Sequence, residues 1–263
     1  MHRRCGGRRR WTIAAIGPAV MAAVFLSGCE QGGGGGLAIV QYAVKEADRV
    51  GSDAGALSSA VEMAAARGAR LVVTPETALY RYAPYEQNGV TMADLAASYN
   101  EMVGRFSGLA DRLDICLVIG LREPAGEAAV HNTAVFFGPD GSVLGTHRKA
   151  VPSKEEQSYT VAGGGATVFD SPVGRVGLAI CKDVLNPSLR AAYGAAGIDL
   201  FVLIAADPDG RSLSPITEVC AAAECVGVMA NQQIQAGNSA YVKATGKIEY
   251  FGGGEKIRLR PLP

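Results

Sequence analysis

Residues 37–76 read LAIVQYAVKEADRVGSDAGALSSAVEMAAARGARLVVTPE. The apolar, partly β-branched run from Leu37 to Ala43 predicts a strand. From Ser52 to Arg67 the apolar positions Leu57, Val61 and Ala64 fall on one helical face, and Gly68 supplies the stop. Leu71-Val72-Val73 predicts a second, buried strand. Strand, helix and strand in this order form a βαβ unit, which pairs its strands in parallel through a right-handed crossover.

The same alternation continues down the chain. Met92 to Leu113 predicts a helix with Leu95, Tyr99, Met102, Val103 and Phe106 along one side, and Ile115 to Gly120 a strand. Asn132 to Phe137 and Ser142 to Thr146 flank Gly138-Pro139-Asp140-Gly141, whose Pro and Gly suit a tight turn. Ala150 to Ala166 reads as a Gly-rich polar loop. Strands are expected at Val176 to Ile180, Leu200 to Ile204 and Cys225 to Ala230, and helices at Pro187 to Ala196 and Pro215 to Glu224. The end is β-rich, at Ala240 to Val242 and Lys256 to Leu259, with Gly252-Gly253-Gly254 between. This order of elements places the chain in the α/β class, with helices covering a sheet or a pair of sheets.

Composition narrows the partners. The chain has 263 residues, of which 48% are hydrophobic and 19% charged, enough to bury a core and too apolar for wholesale disorder. Its 25 Lys plus Arg balance 25 Asp plus Glu, but five of the bases are Arg3, Arg4, Arg8, Arg9 and Arg10. Without them 20 bases face 25 acids, about −5 for the remainder, and no basic stripe argues for nucleic acid.

Those arginines belong to a leader. Met1 to Arg10 is basic, and Trp11 to Phe25 is an uncharged apolar stretch, the n-region and h-region of an export signal. At about 1.5 Å per residue that stretch is too short for a hydrocarbon core of roughly 30 Å. Leu26-Ser27-Gly28-Cys29 resembles a bacterial lipobox, in which the Cys29 thiol takes up diacylglycerol before the signal is cut away. The glycine run Gly32 to Gly36 cannot hold regular structure and reads as a flexible tether. The expected organisation is a signal peptide over 1–28, a lipidated cysteine and tether over 29–36, and a single domain over 37–263. The expected location is outside the cytoplasm, tied to a membrane through lipid on Cys29, with inner and outer membrane both open.

Reactive side chains stand where strands end. Glu76 follows Leu-Val-Val-Thr-Pro, and Cys181 closes Val-Gly-Leu-Ala-Ile just ahead of a helix. Lys149 follows the second strand of the hairpin. Ligands gather beyond the carboxyl ends of strands in open α/β sheets, so Glu76 and Cys181 can converge. Singly, each has an ordinary reading: an inert core thiol, a solvated lysine, a loop acid.

Together the segments resemble the nitrilase, or carbon–nitrogen hydrolase, superfamily over nearly the whole body. The motifs are Thr74-Pro75-Glu76, His131-Asn132-Thr133, Gly138-Pro139-Asp140-Gly141, Arg148-Lys149, Gly177-Leu178-Ala179-Ile180-Cys181-Lys182-Asp183, Gly197-Ile198-Asp199-Leu200, Asn231 and Gly237-Asn238-Ser239, in the family's order. The resemblance implies a single-domain αββα sandwich, often assembled as a homodimer or higher homo-oligomer. It implies Glu76, Lys149 and Cys181 as a catalytic set acting on a small-molecule amide, with no cofactor and no metal. Glu76 would accept the Cys181 proton and later activate water. Lys149, with a backbone N–H expected at Lys182, would hold the charge on the tetrahedral oxygen. A further carboxylate of the family matches Glu156, followed by Tyr159, with Glu155 as the fallback; it would bond Lys149 and orient the substrate.

The pattern also departs from the family. Lys182 stands where an aromatic is common, and Asn186-Pro187-Ser188 replaces Phe-Pro-Glu, although Arg190 remains. Cys-Lys-Asp looks more like the branch near apolipoprotein N-acyltransferases, which need membrane helices that this sequence lacks. Hydrolysis is therefore preferred over acyl transfer from the same acyl-enzyme. A non-catalytic binding lipoprotein is the third reading. Lys182 would lower the Cys181 pKa or bind an acidic substrate, or else be exposed. Among the other cysteines, Cys220 and Cys225 could pair only if the helix breaks between them.

Overall fold

A computed structural model describes residues 36–41, 53–79, 92–126, 129–232, 238–251 and 257–263. The leader, Cys29, the glycines ahead of Gly36, Gly237 and Gly252 to Gly254 lie outside them, as does the side chain of Leu95.

The βαβ unit opens the fold: β1 (Gly36–Val40), α1 (Ala54–Ala66) and β2 (Ala69–Val73), with the two strands parallel; Gly36, read from the sequence as tether, is instead the first residue of β1, paired with Ala69 and Pro261. Next come α2 (Met92–Leu113), β3 (Cys116–Pro124), β4 (Val130–Phe137) and β5 (Val143–Arg148). The second half holds β6 (Thr167–Ser171), β7 (Gly174–Ile180), a 3₁₀ turn (Cys181–Leu185), α3 (Pro187–Gly194), β8 (Leu200–Ala205), α4 (Leu213–Ala223) and β9 (Val226–Asn231). Three short strands finish it, β10 (Ala240–Val242), β11 (Ile248–Tyr250) and β12 (Ile257–Pro261).

These strands build two six-stranded sheets, ordered β12-β1-β2-β3-β4-β5 and β11-β10-β9-β8-β7-β6. Each has a parallel centre, β1-β2-β3 in one and β7-β8-β9 in the other, with antiparallel strands outside it. Strand periodicity sets the layers. In the first sheet Leu37, Ile39, Leu71, Val73, Val118 and Phe136 join one apolar cluster with Leu178, Ile180, Val202 and Val228 of the second. The alternate residues Ala38, Val40, Val72, Leu117, Ile119 and Phe137 pack instead with Leu57 and Val61 of α1 and Phe106 of α2. On the far side Tyr193 of α3 and Ile216 and Val219 of α4 cover the second sheet. The result is the expected αββα sandwich, a nitrilase-type fold in one domain.

The sequence reading missed β6 and β11. β6 is a half-buried edge strand and β11 has three residues, so neither shows a sustained apolar alternation. Helix α4 does break between Cys220 and Cys225: Glu224 takes φ 53, and the Cys225 N–H returns to the Cys220 carbonyl at 3.1 Å. Both thiols are free.

Candidate active site

Three strand ends of the two sheets meet at one polar cluster. Beyond β2 the chain turns sharply. Thr74 N–H donates to the Val118 carbonyl at 3.0 Å and Ala78 N–H to the Gly120 carbonyl at 3.0 Å, while Thr77 takes φ 43. The turn lies directly on β3 at a residue without a side chain. A Cβ on Gly120 would fall 2.5 Å from the Pro75 oxygen and 2.9 Å from Glu76 Cα. Glu76 is thereby driven into the space between the sheets, where it is fully buried.

Lys149 follows β5 and is held by its own N–H, which donates to the Asn132 carbonyl at 2.8 Å. Its ammonium donates to Glu76 Oε1 and to Glu156 Oε2, each at 2.7 Å. Asn132, within β4, donates through Nδ2 to Glu76 Oε1 at 2.7 Å and Glu156 Oε1 at 2.8 Å. Of the two acids in the loop, Glu156 is the buried one, braced by the Ser153 N–H at 2.7 Å, whereas Glu155 is exposed.

Cys181 leaves β7 with φ 45, a left-handed conformation that costs a non-glycine residue about 1–2 kcal/mol. Such strain persists where the surroundings over-determine the residue, and functional sites collect it. Cys181 keeps 7% exposure, while Glu76 and Lys149 have none. The Ala206 N–H, just past β8, donates to Glu76 Oε2 at 2.7 Å. Gln232, following β9, donates through Nε2 to the Glu76 carbonyl at 2.7 Å and to the Thr77 carbonyl at 3.0 Å.

The electrostatics divide the groups. Burial pushes the Cys181 thiol well above its ordinary range; Glu76 and Asp207 push the same way, and Lys149 and the Ala206 N–H oppose them. Burial also raises Glu76, against the pull of Lys149 and Asn132. At Glu156 burial is outweighed by the charge and hydrogen bond of Lys149, with Ser153 and Asn132 helping, and its pKa falls to about 2. The cluster therefore holds one firmly ionised carboxylate neutralised by the ammonium, and a second carboxylate whose proton affinity is enhanced. Lys182 is half-buried, and its charge is felt by Glu155. Cys116, at the start of β3, is pushed to about 11 by burial, as an inert core thiol is.

Sequence reasoning placed Glu76, Lys149, Cys181 and Glu156 by their motifs, and all four lie in or against this cluster. It assigned no part to Asn132, Asp183, Ala206, Asp207 or Gln232. Asn132 and Asp183 do stand inside quoted motifs, His131-Asn132-Thr133 and Cys181-Lys182-Asp183, which was the available signal. The His131 ring accepts no such role: its Nδ1 lies 2.8 Å from the Val161 carbonyl.

The cluster sets a thiol beside a paired lysine and two carboxylates, between two facing sheets. The carbon-nitrogen hydrolase family profile matches residues 36–249, and the chain belongs to that family. It is 31% identical over 186 residues to a bifunctional nitrilase/nitrile hydratase of Lupinus angustifolius, covering 64% of this chain and 53% of that protein. A bifunctional nitrilase/nitrile hydratase of Oryza sativa subsp. japonica is 30% identical over 241 residues, 82% of this chain and 66% of its own. The chain thus spans about half the length of the first of these relatives. Among solved structures an amidase from Nesterenkonia sp. superposes with a TM-score of 0.77 at 22% identity, over 90% of this chain and 93% of that one. A mutant of the Nesterenkonia sp. amidase bearing acrylamide added at its active-site cysteine aligns with a TM-score of 0.76 at 21% identity, over 87% and 93%. At such identities the likeness is one of fold.

Proposed function

We propose that this chain is a thiol amidase that cleaves the carbon–nitrogen bond of a small linear, non-peptide amide through an acyl-Cys181 intermediate. The observation that carries the reading is the Lys149 ammonium held at 2.7 Å by two buried carboxylates, with Cys181 close enough to feel the charges of both Glu76 and Lys149.

The chemistry follows from the charges. A thiol raised by burial is protonated at rest, so its proton must leave as the sulfur attacks the carbonyl carbon. Glu76, raised by the same burial, is the better matched acceptor for it. Negative charge then gathers on the substrate oxygen, where Lys149 and the Lys182 N–H would hold it; one such donor is worth a few kcal/mol in comparable sites. Glu76 returns its proton to the departing amine; water then loses a proton to Glu76 as it opens the thioester, and that proton passes to the departing Cys181 sulfur. Glu156 stays ionised throughout and keeps Lys149 charged. The 7% exposure left to Cys181 suits a small substrate.

Acyl transfer to an amine would use the same acyl-enzyme. The likeness of Cys-Lys-Asp to the acyltransferase branch has no counterpart among the relatives named above, and we retain water as the acceptor. The leader motif supports export, with lipid on Cys29 tethering a domain over 37–263 to a membrane. A homo-oligomer is the assembly we propose.

The test is an amide library incubated with the purified chain lacking its leader, with mass detection of adducts on Cys181. A trapped acyl group that turns over in wild type and vanishes in Cys181→Ala and Lys149→Ala supports the reading. Turnover that survives both substitutions overturns it.

A further inference from the structure

We propose that Asp183, backed by His147, is the positioning residue that sets the lysine of the first sheet against the nucleophile of the second; the inference rests on the amidase reading above. Asp183 is fully buried two residues beyond Cys181. Four N–H groups converge on its carboxylate. Oδ2 accepts from the Ile180 N–H at 3.0 Å and lies 2.8 Å from His147 Nε2, and Oδ1 accepts from the Ala150 N–H at 2.9 Å and the Val151 N–H at 2.8 Å.

The placement of the donors carries the argument. Ile180 immediately precedes the nucleophile, in β7 of the second sheet. Ala150 and Val151 immediately follow Lys149, and His147 belongs to β5 of the first sheet. One side chain therefore ties the residue before the sulfur to the residues after the ammonium. The bond to Ile180 also closes the 3₁₀ turn in which Cys181 takes its left-handed φ of 45. A carboxylate offers acceptors on both oxygens, which is what three backbone N–H groups and one imidazole N–H require.

His147 completes the clamp. It is fully buried, and its Nδ1 lies 2.9 Å from Thr167 Oγ1, which bonds the Leu178 carbonyl of β7 at 3.3 Å. Because the Asp183 carboxylate only accepts, the ring nitrogen facing it, Nε2, is the one that donates. The imidazole thus fills the space between the sheets with a donor of fixed direction. No group in this clamp touches the reacting atoms, so its effect must pass through the separation of Lys149 and Cys181.

Asp183→Asn keeps the shape but turns an NH₂ toward at least one N–H donor, because backbone donors cannot become acceptors. His147→Leu removes the imidazole donor, while His147→Gln can present an N–H from nearly the same place. Two rates are measured well below each variant's melting temperature: amide turnover, and alkylation of Cys181 by iodoacetamide, which needs no turnover. Positioning predicts that Asp183→Asn and His147→Leu lose tenfold or more in kcat and in alkylation rate, with KM within about threefold, and that His147→Gln recovers most of both. If Asp183→Asn or His147→Leu melts lower yet keeps kcat and alkylation within twofold of wild type, the clamp is merely structural and the proposal falls. A wild-type chain that alkylates readily but turns over no amide overturns the amidase reading alone, and the alkylation series still decides the clamp.

Discussion

Replacing Lys149 by methionine should reveal how much of the site's order rests on one charge. The substitution keeps an unbranched side chain one heavy atom shorter and removes the cation lying 2.7 Å from both Glu76 and Glu156. What remains is two buried carboxylates joined by Asn132, a geometry that cannot stay doubly ionised. Breaking a buried pair from one side costs about 3–5 kcal/mol. Glu156 gives a consistent figure. Its fall from 4.5 to about 2 corresponds to about 3 kcal/mol of stabilisation, present above the unfolded value near 4.5 and lost as pH falls toward 2. In the Lys149→Met variant the direction reverses. A carboxyl raised above 4.5 in the folded state contributes stability below that pH and loses it as pH rises through the raised value, at about 1.4 kcal/mol per pH unit for each proton. Urea unfolding at pH 5 and pH 8 should therefore show a deficit against wild type that widens by roughly 2 kcal/mol or more between the two. Adding Glu156→Gln, which removes one of the stranded charges, should recover at least about 1 kcal/mol at pH 8. A deficit below about 1 kcal/mol at pH 8, or one equal at both pH values, would refute the charge assignment.

Two further expectations need less development. Gly120→Ala puts a methyl 2.5 Å from the Pro75 oxygen and 2.6 Å from the Thr77 N–H, so the turn bearing Glu76 must shift; turnover should fall at least tenfold and stability by about 1–3 kcal/mol, and unchanged kcat would show that the base tolerates displacement. Expressed with its leader in a bacterial host, the chain should incorporate labelled palmitate and partition with membranes, and Cys29→Ala should lose both; label retained by Cys29→Ala would remove the lipidation proposal.

The parts of this fold legible in the sequence are those with a strong period. Leu37 to Val73 alternates apolar stretches with a helical face, and the strands and helix it predicts are present with ends moved by a few residues. β6 was hidden because Thr167, Val168 and Phe169 are all half-buried at a sheet edge, where no face is wholly apolar. At the site, Glu76 and Cys181 were legible because a reactive residue closing an apolar run is conspicuous. Asn132 was not. It looks like any polar residue in a half-buried strand, and only the meeting of β4 with the loop after β5 shows its amide spanning two carboxylates. Gln232 and Ala206 could not be found from sequence at all, since the Ala206 contribution is a backbone N–H and Gln232 acts on the backbone around Glu76. Lys182 was left between a role on the thiol and simple exposure; its field falls on Glu155, while the thiol answers to burial, Glu76, Lys149, Asp207 and the Ala206 amide.

The polar links between the sheets explain why a site of charged groups can sit in a nearly dry interior. Each central parallel strand of the second sheet sends one link across at its carboxyl end. Asp183 after β7 reaches Ala150 and Val151, the Ala206 N–H after β8 reaches Glu76, and Gln232 after β9 reaches the Glu76 and Thr77 carbonyls. A buried carboxylate or ammonium costs several kcal/mol unless its hydrogen bonds are met, so each link offsets the burial of a group the chemistry needs. It also ties that group to the opposite sheet, so Glu76 is bonded to Lys149 and Asn132 of its own sheet and to the Ala206 amide of the other. The stability of the sandwich and the geometry of Glu76, Lys149 and Cys181 are therefore not separable properties. A substitution that loosens the packing between Phe136 and Ile180 should reach the chemistry before it reaches the fold.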